Sequence, residues 1–418
     1  MDERPTWDRS IAAMLVCVFC SSSASLIGVT ALGKQIYDLT GRELDLGLLG
    51  LAEFAPSMVL VLLTGSIADR FDRARVSSIA AAVEAASGVA LAWYALTEPT
   101  SVLPIFALVL VFGAGRAFLA PANRALPADI VSAAHLPWLT ARRAIAWQSA
   151  VIVGPVIAGF LYVVHPSAPY MAMAAFLVVA SASMFFVRIE QHAAAATTST
   201  EPIEEVTAGA EATVAAPPRS GRLREALEGL RFIRHSPMLL GAISLDLFAV
   251  LFGGAVALLP AIATDRLHVG AVGLGWLRAA GGMGAAVVTL WIARRPINRH
   301  VGPILLGATT IYAVAFISMA VLNGADSISV FIRSTLVPLV TPFDKRGRVL
   351  AVESVFIGAS NELGAFESGV AGQLLGAPGA VVLGGAATLA VAGTYWTTFP
   401  ALRHLDRFPS GAEAAPRT

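Results

Sequence analysis

Gly65-Ser66-Ile67-Ala68-Asp69-Arg70-Phe71-Asp72-Arg73-Ala74-Arg75 gathers five charges into eleven residues of a chain that is apolar on both sides. Before it, residues 46–68 carry a single charge, Glu53; after it, residues 76–97 carry only Glu84. A helix needs about 20 apolar residues to cross a hydrocarbon core, with all backbone hydrogen bonds made inside the segment. Each flanking run meets that length, so the stretch reads as a short charged turn at a membrane surface.

The rest of the chain agrees. Of 418 residues, 56% are hydrophobic and 14% charged, and mean hydropathy is +0.72. A soluble surface of this size takes roughly 25% charged residues, so most of this surface faces lipid. A net charge of +1 gives no footprint for nucleic acid. Cys17 and Cys20 form a CxxC inside the first apolar run. Thiols in lipid resist ionisation, which reactivity and metal binding both require, so they read as small helix-packing residues.

Apolar runs recur at 10–33, 46–68, 76–97, 102–126, 144–164, 169–188, 237–262, 271–293, 302–321, 327–343, 349–374 and 379–399. These are twelve candidate spans. The first begins like a secretory signal, with Arg4 and Arg9 ahead of apolar residues and a small-residue zone at Ser21–Ser25. Its apolar character resumes from Leu26 to Leu32, so a retained helix is expected. Orientation follows from the loop cations. Outer loops hold only Lys34, Arg42 and Arg266, and Arg116, Arg124, Arg278 and Arg333 fall in or near spans; every other Lys and Arg gathers on one side. An inner-membrane protein with both termini cytoplasmic is predicted.

The expected organisation is a bundle at 1–188, a linker at 189–236, a second bundle at 237–400 and a tail at 401–418. Residues 193–218 are rich in Ala, Thr, Glu and Pro, a composition that cannot bury a core. Leu223, Leu227, Leu230 and Ile233 then fall at helical spacing among arginines. They predict an amphipathic helix near 222–234, either on the cytoplasmic leaflet or solvated between the bundles. The two halves also echo one another. Arg116 precedes Pro121 by five residues, as Arg333 precedes Pro338; Ile67-Ala68-Asp69-Arg70 has a counterpart in Ile292-Ala293-Arg294-Arg295. The second half is compressed. Asn323-Gly324-Ala325-Asp326 carries turn chemistry and would leave a tenth span of roughly 25 Å, so a shortened ninth and tenth helix hairpin is expected.

The charged stretch resembles the signature loop of the major facilitator superfamily, G-x-L-A-D-R-x-G-R-R-x, at Gly65, Ala68, Asp69, Arg70 and Arg73. Asp72 stands where a Gly is usual. In that family the loop is a conformational latch rather than a substrate site. Tyr37–Gly41, Leu245–Val250 and Val355–Gly364 are similar to the branch that holds the enterobactin exporter and related secretion permeases. Gly154-Pro155-Val156-Ile157-Ala158-Gly159 is similar to the exporter motif G-P-x-x-G-G, with Ala158 for one Gly. Arg116 takes the place of the family's span-four arginine, although Leu119-Ala120 replaces the usual Gln-Gly. The resemblance implies an all-α protein of twelve helices in two six-helix pseudo-repeats.

Ionisable groups within spans are functional hypotheses by default. Glu53 and Glu84 face Arg116 and Arg124 in the first half; Asp246 and Glu362 face Arg278 and Arg333 in the second. Either Asp246 or Glu362 is a candidate proton carrier; the competing reading is a static ion pair, holding span seven to span eight or ten. Asn123 and Gln148 read as helix–helix hydrogen bonders or cavity lining.

The functional expectation is a secondary transporter with no cofactor and no metal. It exports a small, amphipathic molecule by alternating access, in exchange for protons, as a monomer in lipid. All seven His lie in loops or at span ends, with no HExxH, which speaks against an intramembrane enzyme. A degenerate permease acting as sensor or scaffold remains the alternative, kept open by the short tenth span.

Overall fold

The computed structural model describes residues 8–131, 135–187, 222–295, 297, 299–314, 319–341 and 343–407. Every regular element among them is helical. The first half comprises α1 (Arg9–Thr40), α2 (Glu43–Arg70), α3 (Arg73–Leu96), α4 (Leu103–Ala125), the one-turn α5 (Pro127–Ile130), α6 (Leu136–Val164) and α7 (Ala168–Met184). The second comprises α8 (Arg222–His235), α9 (Pro237–Phe252), the short α10 (Leu259–Ala261), α11 (Gly270–Arg294), α12 (Val301–Val314), α13 (Met319–Val340), α14 (Phe343–Thr398) and α15 (Pro400–Arg403).

Local chemistry sets the ends. Asp8 caps α1 by accepting from the Arg9 N–H. At the far end Gly41 turns left-handed (φ 60°) and returns its N–H to the Tyr37 carbonyl. Asp72, in the charged turn, caps α3 by accepting from the N–H groups of Ala74 (2.8 Å) and Arg75 (3.3 Å). α14 breaks at Gly376, where φ is 73° and ψ is 159°; a residue with a Cβ is strained there. One run of helix thereby becomes two consecutive segments.

Among the described residues, seven helical stretches are long and apolar enough to cross a membrane: Arg9–Thr40, Arg73–Leu96, Leu103–Asn123, Trp138–Val164, Pro237–Arg266, Gly270–Arg294 and Phe356–Thr398. Ala168–Met184 and Val301–Tyr312 are apolar but shorter. Polar and apolar groups are distributed inside out. Glu84, Ser23 and Ser77 are fully buried, while Trp93, Leu103, Val164 and Phe185 are more than 70% exposed on the outside. Such a surface is stable only against hydrocarbon.

Packing repeats between the halves. In the first, α1 packs on α6 and α7, α2 on α4, and α3 on α4 and α7; in the second, α9 packs on α14, α11 on α13, and α12 on α13 and α14. Two seams join them, α2 against α14 and α6 against α11. Glycines permit the close approach. A Cβ on Gly47 would come within 3.0 Å of the Ala365 carbonyl, and one on Gly159 within 2.7 Å of the Ala271 carbonyl. At the same end Tyr37 donates to Asp265, and Gly33 meets Pro260.

Two expectations are corrected. Asn323–Asp326 forms no turn but lies inside α13, whose 22 residues span about 33 Å. A polar sequence forgoes turn chemistry where the backbone has no water to bond and must satisfy itself helically. The tenth helix is therefore not short. α8 forms where the amphipathic helix was expected; its Ile233 (2% exposed) packs on Leu239, Val337 and Val349, while Leu230 is 41% exposed. The arginine at the fourth candidate position, Arg124, and the side chains of Gly65, Asp69 and Arg70 lie outside the described side chains, although the α2 backbone continues through Arg70.

Candidate functional site

A cavity of about 400 Å³ lies between the halves, bounded by α1, α2 and α4 on one side and by α9, residues 253–257, α11, α12, α13 and α14 on the other. Four of the charged residues expected from the sequence line it: Glu53, Arg116, Arg278 and Glu362. The Arg116 guanidinium donates to the Ser25 hydroxyl of α1 and stands 3.7 Å from the Glu53 carboxylate. It also lines a second cavity of about 550 Å³ within the first half, with Glu84, Asn123, Thr140 and Trp147. Arg116 is thus the charged wall shared by both spaces.

Glu84 approaches through a gap in α4. A Cβ on Gly115 would fall 2.8 Å from the Glu84 Cγ. Among the described residues neither of its carboxyl oxygens has a hydrogen-bond partner. Asn123 sits 3.8 Å from the Cys17 sulfur, which puts the first Cys of the CxxC in a helix–helix contact. Gln148 donates across the seam to the Gly282 carbonyl at 2.7 Å.

Asp246 and Arg333 are placed elsewhere. They meet at 2.8 Å, each side chain only 5% exposed, and tie α9 to α13. A small cleft beside this pair is lined by Asp246, Thr309, Tyr312, Asp326 and Ser329. Tyr312 and Asp326 border both the cleft and the central cavity. The sequence reading missed Asp326 because it assigned it to a turn. The signal that finds it is helical phase: Asp326 and Arg333 are seven residues apart, which puts them on one face of a helix.

In the charged turn, the Arg73 Nη1 donates to both carboxylate oxygens of Asp129, at 2.8 and 2.9 Å. This fastens the start of α3 to the short helix α5. The capping carboxylate is Asp72, the residue immediately before the first helical turn of α3. In the span-five motif, Gly154 backs onto Ser23 and Leu26 of α1, and Gly159 onto Gly275 of α11. Pro155 lies inside α6 and presents its carbonyl to Gly275. Among the described residues no group of three or more His, Cys, Asp or Glu is placed to hold a metal ion.

The model of the Major Facilitator Superfamily matches residues 11–335. The chain belongs to the Major Facilitator Superfamily. A curated relative, the uncharacterized MFS-type transporter YfiS of Bacillus subtilis (strain 168), is 24% identical over 392 residues, covering 87% of each chain. Solved structures share the fold. The nucleoside transporter NupG aligns with a TM-score of 0.65 at 14% identity over 93% of this chain and 99% of its own. A bacterial homologue of the human lysosomal transporter Spinster, inward-facing and unoccupied, aligns at 0.63 and 12% over 96% and 97%. The D-xylose–proton symporter aligns at 0.62 and 15% over 94% and 98%. As a superfamily member, this is a multi-pass membrane transporter of small molecules and not an enzyme. The branch of the enterobactin exporter is not singled out by these likenesses.

Proposed function

We propose that the chain crosses the inner membrane twelve times as two six-helix pseudo-repeats. One is formed by residues up to 188 and the other by 237–400, joined by a cytoplasmic linker, with both termini cytoplasmic. The matching helix pairings of the two halves support the repeat, and α14, broken at Gly376, supplies the last two crossings. The arginine distribution places the glycine seams at the periplasmic end. The conformation is then closed outside and faces inward.

In this reading the protein acts as a monomer that exports a small amphipathic molecule in exchange for protons. The observation that carries it is the charged cavity between the two halves, beside close glycine-to-backbone contacts that join them. Transporters place substrate and coupling ion at such a midplane junction of repeats. Glu362 lines the cavity and has no ion-pair partner among the described residues, which favours it as the proton carrier. Asp246, held by Arg333, favours a structural role. The span-five motif supports export, as does the resemblance to secretion permeases. The degenerate-permease alternative loses its support, since α13 is of full length.

The test is reconstitution in liposomes with an imposed pH gradient. Substrate-dependent proton movement that disappears in Glu362→Gln and persists in Asp246→Asn supports the reading. Proton movement that is indifferent to Glu362 contradicts it.

A further inference from the structure

Arg278 is the anomaly of the central cavity. It comes from the middle of α11 and lines the wall, beside Gly33 of α1. Its Nε is buried without a hydrogen-bond partner, and among the described residues its guanidinium makes no ion pair within 4 Å. The acid whose charge reaches it, Glu53, is engaged by Arg116.

The chemistry of the two charge types is unequal. A cavity carboxyl such as Glu362 or Asp326 escapes an unpaired charge by taking up a proton. A guanidinium cannot lose its proton in a protein, and a charge in low dielectric without a partner is costly. An unpaired arginine in a membrane-spanning helix therefore calls for a counter-anion from outside the chain. Its planar fork matches carboxylate, sulfonate and phosphate oxygens in bidentate fashion.

We infer that Arg278 is the anchor for an anionic group on the transported molecule, so that the substrate is an organic anion or a zwitterion rather than a simple cation. This rests on the transport reading above and narrows its substrate class. A cavity of about 400 Å³ falls in the range of small-molecule sites. Its apolar positions, Val29, Leu46, Leu49 and Val250, leave the rest of the substrate apolar.

The experiment is a thermal-stability screen of the purified full chain against compounds below about 400 Da, sorted into anions, zwitterions, cations and neutrals, with chloride held constant. Each anionic compound is paired with its uncharged amide or ester. Every stabilising compound is expected to carry an anionic group, its amide or ester is expected to be at least tenfold weaker, and Arg278→Gln is expected to abolish the shift. Arg75→Gln, which removes an exposed arginine of the charged turn, is expected to keep it. Arg278→Lys retains a charge without the fork and is expected to bind weakly, which separates loss of anchoring from loss of folding. Stabilisation by cations or neutral compounds, or an undiminished shift in Arg278→Gln, overturns the assignment while leaving transport intact. Absence of any stabilising compound, together with absence of flux in liposomes, overturns the transport reading itself.

Discussion

Two buried carboxyls illustrate how partners decide a residue's role. Asp246 is locked to Arg333 at 2.8 Å with both side chains 5% exposed. Removing one member of such a pair strands the other charge and costs about 3–5 kcal/mol. Asp246→Asn is therefore expected to lower the melting temperature measurably, and the double variant Asp246→Asn with Arg333→Gln to recover much of the loss. A double variant no better than the single one would refute the pairing. Glu84 makes no hydrogen bond through either oxygen among the described residues. Glu84→Gln removes no bond and is expected to leave thermal stability equal or higher; a loss comparable to that of Asp246→Asn would reveal a partner. Sequence reading located both acids, because a charge in an apolar run stands out. It offered Asp246 a static partner on span eight or span ten, and the packing of α9 on α13 decides for Arg333.

At the scale of elements, the charged turn between α2 and α3 works through its cap and its tie. Asp72→Ala removes the acceptor for two N–H groups of α3 and is expected to cost about 1 kcal/mol, read in thermal unfolding. Asp72→Asn is expected to restore most of it. The Arg73–Asp129 tie is partly exposed, at 29% and 25%, so Arg73→Ala is expected to cost less than about 1 kcal/mol; a larger loss of stability than from Asp72→Ala would reverse the ranking. The helices themselves were legible, because apolar runs of spanning length leave few alternatives. The boundary between α12 and α13 was not. Asn323-Gly324 is turn-forming in water, but here the α13 backbone stays helical through it, and Asp326, two residues beyond Gly324, lines the cavity with Tyr312. The periodicity that carries Asp326 and Arg333 to one face outweighs local turn preference once water is absent.

For the whole molecule, the seams that close one end are made by glycine against backbone. Gly47 meets Ala365, Phe366 and Gly369, and Gly159 meets Ala271 and Gly275. A branched side chain at either position holds the halves apart. Gly47→Val and Gly159→Val are expected to increase the labelling rate of a cysteine placed at Leu49 on the cavity wall, when reagent is added from the outer face. Unchanged labelling would show that these seams do not gate the cavity. Sequence alone indicated the glycines and the two-part plan, but not which glycines face the partner half: Gly154 and Gly159 sit in one motif, yet one packs within its own half and the other across the seam.

The central claim is that the two halves rock about the shared cavity. The most direct test is pulsed electron-spin distance measurement on two cysteine pairs that bridge the halves at opposite ends, Arg42 with Leu375 and Phe71 with Arg295, in lipid nanodiscs with and without a stabilising ligand. The account predicts opposite movements: when the first distance lengthens, the second shortens. Two distances that change together, or that stay fixed while substrate flux is present, would contradict it.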